Sequence, residues 1–539
     1  MFKQLIRRNT SLYRYSRLAV TFFRLLDPNF LGIRRATRAH KQHSGGRPCI
    51  VLAGSVGLNP DMLVQTLLGV ALKRSGAEVF QFSCDSAMKL CFNSKSFHYD
   101  AASALHQLVA KGQGKICDLC HAKSVKYSAS AELKNEWLSL QLTDEDRLTY
   151  QQIEVLLRNV TCLENLRKFK FEGLHVGEHA YSATVRFFAS PAFESEPYGV
   201  AILREYILSS TTAALGFQRF LDKQTVDLVV VDHGIYVPQG VITEIAKNRS
   251  IRVLTFNTGY RRSTFLFAEG DSYHFAIPRS KEFGIRKYTD TQREIAIEYV
   301  KGRAFGRSDW VHFQPQNVDR ALNFDQGKLH VAVFPNVLWD ADVHFEEGLF
   351  ASSSDWLLNT IEHLCRNPNV IVHVRIHPGE IKGAVVSRYG VWDLLKDKKF
   401  ADSTNLIVYY AEDDVNSYTL AEKCDFSIVY GSKIGIDLAA LGHRVLTAGD
   451  CWTRNKSITT DPSTIHEYFK LLDAPSGIVP SGKRGIDFAY YLYFEKMYFF
   501  DFVSKRSGDP PFKFDPIGFD RALADKKSDI NRLINEILG

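Results

Sequence analysis

The sequence predicts an α/β protein in which two Rossmann-like domains face a cleft, with an N-terminal amphipathic arm and a C-terminal helical tail. Its 539 residues, 45% of them hydrophobic and 24% charged, suit a folded protein of about two to four domains. Apolar strand patterns alternate with helical patterns, which indicates parallel sheets joined by crossover helices. The alternation starts after residue 45 and starts again near residue 328, so the two halves are built alike.

The first half begins with a glycine-containing turn between a strand and a helix. Asn59 and Pro60 are suited to the N-cap and the first position of that helix. The expected elements of this half are strand 49–53, helix 60–74, strand 78–83, a helical stretch around 144–224, strand 226–234, helix 238–247 and strand 251–256. We therefore expect an N-terminal Rossmann-like domain at residues 46–327.

The second half repeats the pattern in a shorter stretch of chain. Its expected elements are strand 328–335, helix 353–366, strand 369–378, strand 405–411, helix 416–423, strand 426–431, helix 433–441 and strand 444–449. This indicates a C-terminal Rossmann-like domain at residues 328–480, followed by the helical tail at residues 481–539. Two such domains facing a cleft are the architecture of GT-B glycosyltransferases, although fold alone does not fix chemistry.

Residues 1–45 form a basic, aromatic-rich arm. They contain ten basic residues and one acidic residue, whereas the remainder contains 57 basic and 59 acidic residues, so the arm carries the positive charge of the chain. Its longest uncharged run, from Leu18 to Phe23, is far shorter than the roughly 20 apolar residues that span a bilayer. We expect the arm to lie on an anionic membrane surface, and the alternative is a helix packed on the body with its arginines in solvent. The neutral body offers no basic track for nucleic acid.

The stretch NVIVHVRIHPGE, residues 369–380, ends a strand with an imidazole, a rigid turn and a carboxylate, namely His377, Pro378 and Glu380. Ligands of open α/β sheets bind beyond the carboxyl ends of strands, so this strand end is a candidate donor-binding position. The alternative is an ordinary turn that binds no ligand.

A second strand end lies in YGSKIGIDLAALG, residues 430–442. Gly431, Ser432 and Lys433 precede a helix whose first N–H groups could hold a phosphate, and Ser432 is a suitable N-cap. Asp437 lies about one turn inside the helix, where a carboxylate could bind ribose hydroxyls. An ordinary capped helix is the alternative.

The segments VRIHPGE and CDFSIVYGSKIGIDLAALGHRVLTAG resemble the bacterial capsule polysaccharide biosynthesis family, which is related to GT-B Kdo transferases and sialyltransferases with a His-Pro motif. The likeness covers roughly residues 328–450. It implies that His377 contacts the phosphate of a nucleotide-activated donor such as a CMP-sugar, that Ser432 assists, and that Asp437 belongs to the nucleotide pocket. Many such enzymes have paired serines where this chain has Gly431 and Ser432, which leaves the nucleotide open.

The loop after the first strand of the second half, VFPNVLWDADVHFEE, offers Asn336, Trp339 and Asp340 to a sugar or a base. Asp340 and Asp342 also form a DxD pattern, which is typical of metal–nucleotide sites in GT-A enzymes. GT-B enzymes generally need no metal, so we expect a metal-independent transferase that has no cofactor besides its donor substrate.

The N-terminal half is expected to bind the acceptor and to supply the catalytic base. An inverting transfer needs a carboxylate or an imidazole that takes the proton of the acceptor hydroxyl. The candidates are Asp232 and His233 at a strand end, and Glu178 in GLHVGEHAYS. Each is equally suited to structural hydrogen bonding, and the sequence leaves the choice open.

Two further segments of this half provide candidate acceptor contacts. They are Gly54 and Gly57 in the turn AGSVGLNP, and Tyr260 and Arg261 in NTGYRRSTFLFAEGDSYH. The turn lacks the third glycine of GxGxxG, which disfavours a dinucleotide-dependent oxidoreductase.

Four of the nine cysteines, Cys84, Cys91, Cys117 and Cys120, lie in one stretch of the sequence. Four thiolates could hold a structural zinc ion tetrahedrally. The alternative is four buried or free thiols in a reducing compartment.

Together these features predict a cytoplasmic glycosyltransferase, peripheral on the inner face of the cell membrane. It would move a sugar from a nucleotide-activated donor to a glycan or lipid-linked acceptor in bacterial capsule or surface polysaccharide synthesis. Two other classes stay open. One is a different enzyme on this scaffold, such as a polyol-phosphate transferase or a nucleotide-sugar epimerase, and the other is a non-catalytic scaffold of a capsule assembly or export complex.

Overall fold

The structure is a computed structural model of the chain. It describes residues 27–38, 48–54, 57–95, 102–307, 309–310, 313, 324–340, 349–383, 385–398, 400, 403–506 and 511–539. The chain forms two compact units. Of the described residues, those up to 188 together with those of 193–273 and 498–539 form unit 1, and those of 189–192 and 274–497 form unit 2.

Strands build one large sheet in each unit and a small hairpin. They are β1 (Cys49–Ala53), β2 (Glu78–Ser83), β3 (Lys134–Trp137), β4 (Leu228–Asp232), β5 (Arg252–Thr258), β6 (Thr264–Glu269), β7 (Leu329–Phe334), β8 (Val370–Arg375), β9 (Leu406–Tyr409), β10 (Phe426–Val429), β11 (Val445–Thr447), β12 (Met497–Phe499), β13 (Val503–Lys505) and β14 (Phe512–Phe514).

Helices connect the strands. They are α1 (Asn29–Arg38), α2 (Asp61–Arg74), α3 (Ala102–Lys111), α4 (Lys115–Ala131), α5 (Leu138–Gln141), α6 (Asp144–Asn159), α7 (Leu163–Arg167), α8 (Val176–Phe188), α9 (Gly199–Lys223), α10 (Gln239–Asn248), α11 (Tyr273–Arg279), α12 (Glu282–Ile285), α13 (Asp290–Ala304), α14 (Ser353–Cys365), α15 (Gly379–Lys382), α16 (Val391–Asp397), α17 (Ser417–Lys423), α18 (Ile434–Ala440), α19 (Ile465–Asp473), α20 (Lys483–Tyr490), α21 (Pro516–Ala524) and α22 (Asp529–Leu538).

The sheet of unit 1 has the strand order β12-β6-β5-β4-β1-β2-β3. Its five strands β3, β2, β1, β4 and β5 run parallel, and β6 pairs antiparallel with β5. Every residue of β1 and β4 is buried, which is why these strands read as continuous apolar runs instead of alternating patterns. The strand order reverses between β1 and β4, so the loops that follow these two strands lead to opposite faces of the sheet and leave a crevice between them.

The sheet of unit 2 has the order β11-β10-β7-β8-β9, and all its strands are parallel. This is the same order as in the five parallel strands of unit 1, so the expectation of two Rossmann-like α/β domains is confirmed. The core of unit 2 contains the fully buried Trp356, whose Nε1 donates to the hydroxyl of Tyr468 at 2.9 Å. Here the strand order reverses between β7 and β10.

The boundaries of the units differ from those expected from the sequence. The described part of residues 274–327 belongs to unit 2, and residues 498–539 return to unit 1 instead of forming a tail together with 481–497. The reason is tertiary pairing. β12 joins the edge of the first sheet beside β6, whereas α20 packs against α13 and α18.

Of the expected basic arm, the structure describes residues 27–38. Asp27 anchors this segment to unit 1, since its Oδ2 lies 3.6 Å from Lys123 Nζ. The side chain of Asn29 donates to the carbonyl oxygen of Phe512 at 2.9 Å. One face of α1 is buried, and the other exposes Leu31, Arg34, Arg35 and Arg38. Among the described residues, none of the helices has the length and apolarity that crossing a membrane requires.

Candidate active site

In unit 2, three loops meet at the carboxyl ends of the neighbouring strands β10, β7 and β8. Asn336 follows β7, His377 follows β8 and Gly431 follows β10. A Cβ on Gly431 would lie 3.3 Å from Asn336 Nδ2, and a Cβ on Gly379 would lie 3.7 Å from Val337 Cγ2, so the loops touch. This is the edge at which open α/β sheets bind their ligands.

The backbone that follows His377 fixes the state of its imidazole. The N–H of Gly379 donates to His377 Nδ1 at 2.9 Å, so the proton of the neutral ring is on Nε2. A Cβ on residue 379 would lie 2.6 Å from Nδ1, which explains the glycine. Burial and then the positive charges of Lys433 and Arg375 lower the pKa of His377 to about 4. At neutral pH the ring is therefore an uncharged N–H donor among cations.

Lys433 and Arg375 supply the positive charge of this site. Lys433 Nζ lies 5.0 Å from the centroid of the Trp452 ring. Arg375 is only 2% exposed and donates to the backbone carbonyls of Tyr410 and Asp413. Its Nε has no hydrogen-bond partner among the described residues. The sequence-based candidates omit Arg375, although a cation in the last position of a buried strand is a visible signal.

The helices that begin near this site are short. Pro378 is the N-cap of the four-residue α15. α18 spans Ile434–Ala440 instead of 433–441, its N-cap is Lys433, and its start has no side-chain cap. The partly exposed Ser432 therefore precedes the cap position that was expected for it.

Asp437 has structural partners in place of the expected ribose hydroxyls. It is fully buried, and its Oδ2 accepts hydrogen bonds from Arg303 Nε at 2.9 Å and from the Tyr418 hydroxyl at 2.7 Å. Its Oδ1 accepts from the Tyr493 hydroxyl at 2.6 Å. Arg303 also pairs with Asp309 at 2.9 Å. This network joins α13, α17 and α18, so we leave Asp437 out of the proposed donor site.

Glu380 and Trp339 also turn into the protein. Glu380 is 6% exposed, and its Oε1 accepts from the first backbone N–H of α16 at 3.1 Å. Burial raises its pKa to about 7. Trp339 donates from Nε1 to the Ser387 hydroxyl at 2.8 Å. Asp340 is exposed, and Asp342 lies outside the described residues, so the DxD pattern is described only in part.

In unit 1, a buried acidic group lies where the strand order reverses. One carboxylate oxygen of Asp61, one of Asp232 and a ring nitrogen of His233 all lie within 4.8 Å of one another. Asp232 ends β4, and Asp61 begins α2 after the β1 turn. Asp61 is 8% exposed, Asp232 is fully buried and His233 is partly exposed. The structure thus brings together two expected catalytic residues and adds Asp61, whose signal in the sequence is its position after a turn at the same sheet edge.

Asn59 connects the two carboxylates. Its Oδ1 accepts the backbone N–H of Asp61 at 3.2 Å, and its Nδ2 donates to Asp232 Oδ2 at 2.7 Å. Gln239 Nε2 donates to the same oxygen at 3.3 Å, and the Thr258 hydroxyl donates to Asp61 Oδ1 at 3.4 Å. Asn59, which was expected only as a helix cap, therefore also holds Asp232.

His233 is poorly suited to take a proton, because its pKa is lowered and its ring is held by a hydrogen bond. Its φ of +54° is left-handed, a conformation that costs a non-glycine residue about 1–2 kcal/mol. Its Nδ1 lies 2.9 Å from the Tyr273 hydroxyl, which accepts from Asn257 Nδ2 at 2.7 Å, so the Tyr273 proton points to His233. Burial and then the charge of Arg186 lower the pKa of His233 to about 3. At neutral pH it is an uncharged N–H donor.

Glu178 lies in the first turn of α8 and outside the group around Asp232. Its neighbours in the sequence bind Glu244 on α10. His175 Nδ1 lies 2.6 Å from Glu244 Oε1, and His179 Nε2 lies 3.2 Å from Oε2. Burial raises the pKa of Glu244, but these bonds from His179 and His175 outweigh it and bring the pKa to about 2. The segment thus joins α8 to α10.

The two glycines of the β1 turn have different surroundings. Gly54 has a φ of +87°, and a Cβ there would lie 2.7 Å from Val231 Cγ1 and 3.4 Å from Asp232 Oδ1. Glycine thus lets the turn approach the acidic group. A Cβ on Gly57 would lie 2.2 Å from the carbonyl oxygen of Cys120, so the backbone of α4 fills the room that was expected for an acceptor.

Tyr260 and Arg261 lie in the connection between β5 and β6. They follow Thr258, the residue that donates to Asp61, so they belong to the same edge of the sheet. The carbonyl oxygen of Arg261 accepts the hydroxyl of Thr264 at 2.7 Å, which closes the turn.

The four clustered cysteines are electrostatic neighbours. Burial raises the pKa of the thiols of Cys84, Cys91, Cys117 and Cys120, and nearby thiols raise it further for three of them. Within the described residues, however, three or more His, Cys, Asp or Glu side chains bring their ligating atoms within 4.8 Å of one another only at Asp61, Asp232 and His233. No three of these four sulfur atoms therefore lie within 4.8 Å of one another, and zinc binding by the cysteines stays a prediction.

No protein-family model matches the chain, and no curated protein sequence matches it. Among solved structures, KpsC, beta Kdo 2,4 transferase, of Thermosulfurimonas dismutans is similar with 13% identity and a TM-score of 0.34, over 58% of this chain and 88% of that chain. Sucrose-phosphate synthase of Thermosynechococcus elongatus is similar with 11% identity and a TM-score of 0.30, over 83% and 95%. UDP-GlcNAc 2-epimerase of Neisseria meningitidis, bound to UDP-GlcNAc, has 11% identity and a TM-score of 0.22, over 84% and 99%. At such identities and TM-scores, these likenesses carry no inference about activity.

Proposed function

We propose that the chain is a GT-B glycosyltransferase that moves a sugar from a nucleotide-activated donor to a hydroxyl of a glycan or lipid-linked acceptor. The observation that carries the proposal is the setting of His377, an uncharged Nε2–H donor beside the cations Lys433 and Arg375. These groups stand at the carboxyl edge of the sheet in unit 2. Such an edge with convergent N–H donors and positive charge suits the phosphate of a leaving nucleotide.

The leaving group gains negative charge as its bond to the sugar breaks. The positive charges of Lys433 and Arg375 and the N–H of His377 stabilise that charge without a metal ion. Asn336 lies in the loop after β7, and Gly431 and Ser432 lie in the loop after β10; we assign all three to the nucleotide and its sugar.

Unit 1 supplies the acceptor side of the reaction. The acceptor hydroxyl has to lose a proton, and the buried carboxylates at the end of β4 and the start of α2 are suited to take it. The loop with Tyr260 and Arg261 stands at the same sheet edge and is our candidate for acceptor contacts. We do not assign a role in transfer to Glu178 or Gly57.

The donor and the pathway rest on the sequence resemblance. The segments around His377 and Ser432 resemble the bacterial capsule polysaccharide biosynthesis family, which favours a CMP-sugar donor and a surface glycan as product. The exposed basic face of α1, with Arg34, Arg35 and Arg38, favours a position on the anionic inner face of the cell membrane.

The test is turnover of a nucleotide-sugar by the full chain. CMP-, UDP- and GDP-sugars are each incubated with the protein and a bacterial glycolipid extract, and the release of free nucleotide is followed. We expect release from one donor that needs the extract and is lost in His377→Ala but retained in His363→Ala, a control on α14 of the same unit. Conversion of the donor sugar without an acceptor would favour an epimerase. Binding without turnover of any donor would favour the scaffold.

A further inference from the structure

We propose that Asp61 is the catalytic base and that it shares one proton with Asp232 while no acceptor is bound. The identity of the substrate, a sugar hydroxyl, rests on the proposed function. The shared proton is a property of the folded chain, and it can be tested without a substrate.

The pair lies close to a cation on α8. The charge of Arg186 acts on both Asp61 and His233. Arg186 is held by Phe92, since its Cζ lies 3.9 Å from the ring centroid and its Nη1 donates to the carbonyl oxygen at 3.0 Å. His233 is neutral, and an ionised Asp61 would be a buried negative charge that Asp232 repels. Such a charge is costly, and a proton removes it.

Hydrogen bonding decides which carboxyl group holds the proton. Asp232 Oδ2 accepts from the amides of Asn59 and Gln239, and both bonds stabilise its negative charge. The side chain of Asp61 accepts from the Thr258 hydroxyl at a long 3.4 Å. Burial and then repulsion by Asp232 raise the pKa of Asp61 to about 7. A base with a pKa near the working pH is the most effective, because it is both available and strong enough.

A second feature points to a ligand at the pair. Gln239 is fully buried, its Nε2 faces Asp232, and its Oε1 has no hydrogen-bond partner among the described residues. A buried amide oxygen in that state costs free energy unless a donor reaches it. The partly exposed His233 marks the side from which a sugar hydroxyl can enter.

The step balances with groups that are present. The proton of the acceptor hydroxyl moves to the ionised carboxylate of Asp61. The oxygen uses the released electron pair to form the bond to the anomeric carbon of the donor sugar. The bond from that carbon to the phosphate oxygen breaks, and its electron pair leaves with the nucleotide. A proton then returns from Asp61 to solvent.

The substrate-free test is infrared difference spectroscopy of the full chain across pH 7. We expect a carboxylic-acid C=O band that is lost with a midpoint near pH 7 in the wild type and is missing from the spectrum of Asp61→Asn. Asp461 and Glu380 also have raised pKa values, so the readout is the wild-type spectrum minus that of the variant. Asp144→Asn, at an exposed position on α6, should leave the band unchanged.

The catalytic test is the pH profile of kcat/KM for transfer. In the wild type, kcat/KM should rise with pH through an acid limb near 7, and Asp61→Asn should lose at least a hundredfold in rate together with that limb. In Asp232→Asn the repulsion is gone, so any residual rate should have its acid limb at lower pH.

The outcomes separate this inference from the proposed function. An Asp61 band without any glycosyl transfer would support the shared proton and remove the proposed function. Transfer with the wild-type acid limb in Asp61→Asn would overturn the assignment of the base. The shared proton would be overturned by a wild-type spectrum identical to that of Asp61→Asn, or by Mg²⁺ or Mn²⁺ removing the band at micromolar concentration.

Discussion

The imidazole of His377 is held by the backbone that follows it. Pro378 starts a helical turn, and Gly379 lets the chain fold back so that its N–H reaches Nδ1. The ring therefore presents Nε2–H without needing a charge, and burial together with the neighbouring cations lowers its pKa to about 4. The order His-Pro-Gly thus fixes the ring as an uncharged N–H donor, which is the state that the proposed phosphate contact needs.

Asp437 shows the opposite case, in which a carboxylate at a plausible site position is structural. We expect Asp437→Asn to lower the free energy of unfolding by about 3–5 kcal/mol, since a buried ion pair is broken and Arg303 keeps only its pairing with Asp309 among these two carboxylates. Denaturant unfolding measures this. The control is Asp290→Asn, which removes an exposed pair with Arg293 and should cost less than about 1 kcal/mol. Equal losses in both variants would contradict the structural role.

At the scale of elements, the acidic group depends on how closely the β1 turn approaches β4. Gly54 permits that approach through its positive φ and its missing Cβ. The turn then places Asn59 and Asp61 at the end of β4. There Asp232 accepts hydrogen bonds from the side-chain amides of Asn59 and Gln239. The geometry of the pair is therefore set by the backbone of two neighbouring strands.

Gly54→Ala tests this approach. Gly76 has a similar φ of +101° but nothing within 4 Å of a Cβ, so Gly76→Ala isolates the conformational cost of about 1–2 kcal/mol. Gly54→Ala adds the clash with Val231, and we expect a further loss of about 1–3 kcal/mol. Denaturant unfolding compares the two variants. Equal stability losses would mean that the close approach is not required.

The exposed face of α1 is the element that we connect to the membrane. Reversing Arg34, Arg35 and Arg38 to Glu should weaken binding of the full chain to phosphatidylglycerol vesicles more than tenfold, since each basic side chain contributes about 1 kcal/mol. Co-sedimentation measures it, with phosphatidylcholine vesicles for comparison. Arg147→Glu with Arg158→Glu, both exposed on α6, is the matched control. Binding that is unchanged by the α1 reversal would contradict this role.

At the scale of the whole molecule, the sequence was sufficient for the fold class. Continuous apolar runs, CIVLA in β1 and LVVV in β4, mark buried parallel strands, and the repeated alternation shows two sheets. The sequence could not show which unit the described residues of 274–327 and 498–539 join, because an edge strand such as β12 looks the same whichever sheet it pairs with.

The site was predictable only in part for a related reason. Strand ends can be located from the sequence, and this yielded His377 and Asp232. Whether a side chain faces the carboxyl edge of the sheet or the protein interior depends on its tertiary partners. Asp437 and Glu380 both have hydrogen-bond partners inside the protein. Asp61 was missed because its importance comes from Asp232, which is far away in the sequence.

The most direct test of the central claim, a nucleotide-sugar site at His377, is a thermal-shift panel of CMP, CDP, UDP and GDP on the full chain. A ligand at a hundred times its Kd stabilises the folded state by about 2.7 kcal/mol, so the nucleotide of the donor must raise the Tm. We predict a shift with one nucleotide that is lost in His377→Ala and kept in His363→Ala, while both variants alone melt as the wild type does. No shift with any nucleotide, or an equal shift in His377→Ala, would contradict the account.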